Sequence, residues 1–577
     1  MGNRIQYCLS LLLVVWMALP TQHIQGQGIA DKVWFNGLGR AFFAQDRLKG
    51  DVLEQDTTTN RSSNGGHMLL DLNIHVNPNP KLEISSILRF RTAFGGFWGA
   101  GTTVQLRQLY LRGIVGKGIH YSVGDLYLKQ SRFTLFNNRQ EGTAHQASIF
   151  TPYSDIVNYE NFYQDENWRL QGMQTNFTVE FTRFIRAIDF DGFIARNRGA
   201  VWLGKPDELF AGSSIKLRQS KAFDLGFNAV NLFEIASTSN GSTSFHNPVG
   251  TLTANYRLGN DSMMVEFFAE AGMSTLRRLG DSLAPADLKG NFVEGGVSLN
   301  LPKKTLKIQL AYRAVSPGFR SAGAQTKRFM FDGSNTVFPR LTDAQVLRPT
   351  SAFDILADDL RYNQALSQNL MTFDPKYNNS TPYGDATPNR AGLHLRADYA
   401  PKSEKIAANL ELGMSGELQG QGTLQLKRFL LGRVGTDVNL HKMLAWKQKL
   451  VLTAGLRFEQ TQRGGDSLEQ LRLTSLLADV GVSAEVVQNL EVMMGVKLFQ
   501  ARGNEYLTER NKYGELVDLP IYLVNETHVI YAAGVRYNFR DDIYLQLAGN
   551  WINVHDRNGA LPKYQIQRFL LVFNMNL

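Results

Sequence analysis

The chain has 577 residues, 43% hydrophobic and 20% charged, a balance too polar for a bundle of spanning helices and too apolar for a disordered chain. Its 61 basic and 52 acidic side chains leave a formal net charge of +9, modest for this length, and no basic cluster with interleaved aromatics accompanies it, which excludes nucleic acid as a partner. The 52 glycines, 35 phenylalanines and 20 tyrosines against 17 prolines favour many short strands joined by tight turns.

At the N-terminus, Asn3 and Arg4 precede an apolar run from Leu11 to Leu19, too short for the ~20 residues of a spanning helix. Residues 1–28 read as a secretory signal peptide, cleaved near Gly26 or Gly28. Cys8, the single cysteine, falls inside it, so the processed chain is expected to hold no disulfide and no cysteine-ligated metal.

The remainder, residues 29–577, alternates with a period of two. Met68, Leu70, Leu72, Ile74 and Val76 are apolar while Asp71, Asn73 and His75 are polar, the mark of a strand with one wet face. A turn at Pro78-Asn79-Pro80 leads into Leu82, Ile84, Leu88 and Phe90, with Glu83, Arg89 and Arg91 in the other phase. The unit recurs through Leu252–Leu258 into Met263–Ala271, Val297–Leu301 into Leu306–Tyr312, Val480–Val486 into Leu490–Leu498, and Tyr531–Phe539 into Ile543–Trp551.

Turns near 78, 117, 183, 220, 260, 303, 402, 443, 488 and 541 are short, whereas the alternate connections are long, above all 48–65, 129–165, 317–390 and 503–525. Short turns on one side and long loops on the other is the organisation of an outer-membrane barrel, with the long loops extracellular. Counting hairpins predicts an all-β fold: a single antiparallel up-and-down barrel of about 22 strands. A soluble sandwich also alternates, but these apolar rows often run five positions, enough for a tilted crossing of the bilayer core, and a propeller's blade repeat is missing.

The last strand places Phe569, Leu571, Phe573, Met575 and Leu577 in one row. It resembles the terminal β-signal read by the barrel-assembly machinery of diderm bacteria, except that the final residue is Leu577 where many members have an aromatic. The processed chain as a whole resembles large porin-like outer-membrane barrels. Tyr121-Ser-Val-Gly124-Asp125-Leu-Tyr127 and Asn167-Trp-Arg169-Leu-Gln-Gly172 are similar to segments of uncharacterised Bacteroidota barrels. The resemblance implies an outer-membrane location, contact with lipid and lipopolysaccharide, and insertion through Phe569 to Leu577.

Turning the polar phase inward makes Arg89, Arg91, Arg112, Lys216, Arg218 and Arg257 candidate pore-lining residues, with Arg313, Arg396, Arg457 and Arg536. Glu266, Glu270, Asp398, Glu411 and Glu459 share that wall. Arg89, Arg91 and Arg112 form either an anion-attracting ladder or ion pairs that merely hydrate the wall.

A strand beginning near Lys32 leaves no room for an N-terminal plug, so the lumen of so wide a barrel must be narrowed by something else. The connections 129–165 and 317–390 are the candidates; the second carries Phe329, Phe331, Phe338, Phe353, Leu360 and Phe373, and a short helix is predicted over 352–370. No catalytic or metal motif appears: the histidines are scattered, and Asp332 with Asn335, or Asp358 with Asp359, match no dedicated calcium loop. No enzyme activity and no cofactor are therefore expected. The leading function is a porin-like channel for passive passage of small polar or anionic solutes; the alternative is a surface scaffold engaging a glycan or an envelope protein through its long loops.

Overall fold

The computed structural model describes residues 32–50, 62–93, 101–138, 142–160, 166–200, 206–235, 244–280, 286–325, 366, 368–370, 373–511, 515–558 and 563–577. The expected signal peptide, the apolar residues Phe329, Phe331, Phe338, Phe353 and Leu360, the candidate calcium residues and most of the helix expected over 352–370 lie outside them.

Among the described residues, 22 antiparallel strands form one sheet. Each pairs with its neighbour in sequence, and the last, Lys563–Asn576, returns to pair with the first, Val33–Gly50, from Leu38↔Asn576 to Gly50↔Tyr564. The sheet is closed, which removes the unpaired edges that could not exist in lipid. The expected strand number and up-and-down order are those observed. A separate short hairpin, Glu509–Arg510 with Leu516–Asp518, occupies the connection that the sequence places at 503–525, because the flanking strands extend to Tyr506 and resume at Ile521.

Register explains the two faces. Across the second and third strands, Ser62–Asn79 and Leu82–Ala93, Leu70 stands opposite Phe90 and Asp71 opposite Arg89. Leu70 and Phe90 are exposed on the outside, whereas Asp71 and Arg89 are buried inside. The same outward row continues round the barrel through Leu252, Leu310, Met414, Val496, Tyr531 and Phe569, all exposed despite being apolar. A continuous belt of this kind is stable only against lipid tails. Near the short turn at 540–543, Tyr537 and Phe539 meet edge-on at 4.9 Å and Phe539 approaches Phe573 at 6.5 Å, an interfacial aromatic group. Tight turns use residues that tolerate a left-handed backbone, such as Asn489 at φ 68.

The inner wall holds something that alternation alone does not predict. On the long-connection side, Phe193, Phe210, Leu232, Phe245, Phe292 and Val315 are apolar, point inward and are buried. A second inward group, including Ile530, Ile552, Ile566, Leu570 and Val572, lies on the strands around the closure. Apolar residues facing a water-filled lumen would be costly, so each group needs a cover.

A charge-paired lumen crossed by two segments

The covers are the two longest connections. Segment 129–138 brings Phe133 and Leu135 to zero exposure against the first group, with Phe133 stacked on Phe292 at 3.8 Å. From the other connection, Phe319 meets Phe292 edge-on at 5.1 Å, and Ala322, Ala324, Leu366 and Ala386 join the same cluster. Backbone bonds join the two, with Phe136 N donating to Gly323 O (3.0 Å), and Trp168 Nε1 donates to the same carbonyl (2.8 Å). Burying these side chains supplies the main stabilisation, on the order of 1.5–3 kcal/mol for each large one.

Beyond the undescribed 139–141, the chain runs along the opposite wall. Residues 143–150 lie in a trough made by four inward glycines on successive strands: Gly435, Gly455, Gly481 and Gly495. A Cβ added at Gly455 would stand 2.5 Å from His145 O, and one at Gly481 2.4 Å from Ala147 Cβ. Hydrogen bonds register the segment in its groove. Ala147 N donates to Asp479 Oδ1 (2.9 Å), His145 Nδ1 meets Asp437, and Arg536 reaches Ser148 O. Ile149, Phe150 and Tyr153 then cover the second apolar group, where Asn550 donates to the Tyr153 hydroxyl (2.8 Å). Helix Thr151–Glu160 ends beside the second strand: the Tyr159 hydroxyl donates to Asp71 (2.6 Å), and its ring lies 4.4 Å from the Arg107 guanidinium carbon.

A buried latch ties the two segments together and to the wall. Arg132 bridges Asp385 (2.7 Å) and Glu294 (2.6 Å), and Arg313 bridges the same two carboxylates at 2.9 and 2.8 Å. Burial alone would push the Asp385 carboxyl up, but Arg313 and Arg132 outweigh it and hold it well below the usual carboxylate range. Burial also opposes the Arg132 charge, and Asp385 with Glu294 more than restores it. A carboxyl lowered on folding stabilises the fold fully above its unfolded value of about 3.9 and loses that contribution only as pH falls towards the folded value. The latch is therefore expected to hold from pH 7 to pH 5, and limited proteolysis of segments 129–138 and 366–389 should give the same pattern at both. New cleavage at pH 5 would contradict it. Further along, Lys376 meets Glu526 (2.8 Å) and Asn379 Nδ2 donates to Glu505 (2.7 Å). Burial opposes the Lys376 charge too, yet Asp374 and its neighbours raise it well above an ordinary lysine.

The residues proposed for the wall are mostly paired. Arg89 donates twice to Asp71 (2.8 and 2.7 Å), Arg91 lies 3.4 Å from His67, and Arg112 lies 3.5 Å from Glu83, so pairing accounts for Arg89 and Arg112 better than an open anion ladder. Lys216 and Arg257 share Asp224 (3.6 and 2.7 Å), Arg257 also binds Glu266 (2.9 Å), and Arg218 binds Asp189 (2.7 Å). Arg396, Glu411, Arg433 and Arg457 are opposite one another on four successive strands, with Glu411 holding Arg396 (3.2 Å) and Arg433 (2.6 Å) while Arg457 turns to Glu459. Arg536 donates to Gln546 (2.6 Å), and Asp398 stands opposite Lys307 in the register. Glu270 makes no ion pair among the described residues. Sequence reasoning missed Arg132, Asp385, Glu294 and Asp71; none belongs to a motif. The recurring inward glycines are the one signal that could have located the segment's path.

The closed sheet, the outward apolar belt and the polar inner wall define the class: a transmembrane β-barrel of the outer-membrane type. No family model matches the chain, and no curated protein matches it. Similar solved structures include OccK9 (OpdG) of Pseudomonas aeruginosa, 8% identical, with 96% of this chain and 100% of that one covered at a TM-score of 0.35. A BenF-like porin from Pseudomonas fluorescens Pf-5 is 8% identical, with 95% and 100% covered at 0.34. OpdK of Pseudomonas aeruginosa with vanillate is 8% identical, with 95% and 99% covered at 0.33. Likeness at this level assigns no solute, and the class stands on the closure of the sheet itself.

Proposed function

We propose that this protein is a passive outer-membrane channel for small polar solutes, anions among them, whose bore is set by the infolded segments 129–138, 142–160 and 373–389. The observation that carries the reading is the inner wall: ion-paired and amide-rich below the latch, where it lines an open cavity of about 440 Å³. In this reading Arg396, Glu411 and Arg433 line the path and set ion preference, with Arg457 and Glu459 buried behind them under Asn379 and Ser380, and both charge signs along the path keep that preference weak. The end of the barrel that bears the long connections lies on the outer side of the membrane, the apolar belt contacts lipid and lipopolysaccharide, and the assembly machinery takes up Phe569 to Leu577. No enzymatic step is assigned. The resemblance to uncharacterised Bacteroidota barrels rests on Tyr121–Tyr127 and Asn167–Gly172 alone.

The processed chain refolded into planar bilayers is expected to give discrete conductance steps with weak ion selectivity. Absence of steps from a folded barrel would decide for the second reading, a sealed scaffold binding a glycan or an envelope protein. That alternative draws on the dry packing of Phe133, Phe292 and Phe319 across the long-connection side of the lumen.

A further inference from the structure

Below the latch, towards the short turns, residues 130–132 roof the 440 Å³ cavity against the inner wall of strands Glu208–Arg218 to Leu306–Val315. Its charges do not suit an anion. Arg132 and Lys307 face three carboxylates, Glu266, Glu270 and Glu294, and Arg132 is already held by Glu294. Between these charges the wall offers neutral donors and acceptors: Asn228, Thr253, Asn255, Ser298 and Gln309.

Two further observations point to a ligand. Both amide atoms of Gln130 are buried and hydrogen-bond to no protein group, and Glu270, whose carboxyl Ser131 and Thr251 contact, leaves its buried Oε1 atom without a hydrogen bond. Buried polar atoms left in this way are uncommon and call for a partner. In addition, Phe268 is the one aromatic side chain among the described residues of this lining, placed in the inward phase of a strand whose other inward neighbours there are Glu266 and Glu270. Gly296, directly opposite in the register, makes the room: a Cβ there would stand 2.5 Å from Phe268 Cζ, so the ring lies over the glycine as a platform on an otherwise polar wall.

We propose that this cavity is a binding subsite for an uncharged, hydroxyl-rich solute of mono- or disaccharide size. The Phe268 ring stacks on the apolar face of a pyranose, while Gln130, Glu270, Asn255 and Gln309 exchange hydrogen bonds with its hydroxyls. This deepens the channel reading and rests on it only for the route by which solute arrives.

The test uses the refolded full-length processed chain. Maltose and sucrose are titrated against single-channel current, and radiolabelled maltose binding is measured separately by flow dialysis in detergent, where no conduction is needed. Saturable interruption of current by at least one sugar is expected, with the half-blocking concentration raised about tenfold in Phe268→Ala, in keeping with loss of a stacking contact. Phe268→Trp should retain block, which separates loss of the platform from misfolding. Interruption by benzoate or phosphate but by neither sugar overturns the subsite, as does unchanged sugar block in Phe268→Ala. A chain that conducts but neither binds nor is blocked by sugar also overturns it and leaves the channel standing. A chain that binds maltose through Phe268 without conducting supports the subsite and removes the channel.

Discussion

Replacing Gly481 with leucine is expected to expel residues 143–150 from their trough and to widen the channel. A Cβ at this position would lie 2.4 Å from the Cβ of Ala147, which is fixed to the backbone and has no rotamer by which to withdraw. The neighbouring glycines leave the segment no deeper place to go, and overpacking of this kind costs about 1–3 kcal/mol. Displacement also breaks the bond from Ala147 N to Asp479 and lifts Ile149 and Phe150 from Gly495. The barrel itself should survive, because Gly481 pairs with Thr453 and Gly495 through the backbone and the new side chain points inward. Single-channel conductance should rise roughly twofold or more, since in pores of this class the constriction governs the current. Gly481→Ala should give a smaller rise. A folded Gly481→Leu barrel with native conductance would show that 143–150 does not limit the pore.

Removing the carboxylate of Asp385 should loosen the infolded segments at the opposite wall. Arg132 and Arg313 both bind it, so Asp385→Ala leaves two guanidinium groups sharing Glu294 in a buried setting. Deleting one partner of a buried ionic cluster costs about 3–5 kcal/mol, more than surface pairs contribute. The loss falls on the contact between segments, not on the sheet. We therefore expect faster proteolysis within 129–138 and 366–389, noisier current and an unchanged barrel. The double variant Asp385→Ala with Arg132→Gln should be less disturbed than the sum of the two single changes, because the unpaired charge is then gone. Additive effects would mean that the two residues do not act as one latch.

The fold was legible because lipid imposes one simple rule on every strand. Leu70 and Phe90, Leu310 and Tyr312, Phe569 and Leu571 all obey it, and short turns such as the one at Asn489 mark where each hairpin reverses. The interior obeys no such rule. The run Phe569-Leu-Leu-Val-Phe573 is apolar in both phases, and only its buried Leu570 and Val572 reveal that a distant segment covers the inside. His145 meets Asp437 across 292 positions, and Arg132 meets Asp385 across 253. Nothing local at either end announces such a partner.

Alternating side chains, tight turns and a greasy outer face were enough, by themselves, to require a closed sheet of about this size in a membrane, since periodicity is a property of consecutive residues. The bore of the lumen, the pairing of its charges and the cavity beneath Arg132 were decided only in three dimensions. Those depend on where long connections fold back, which is settled by packing between residues hundreds of positions apart.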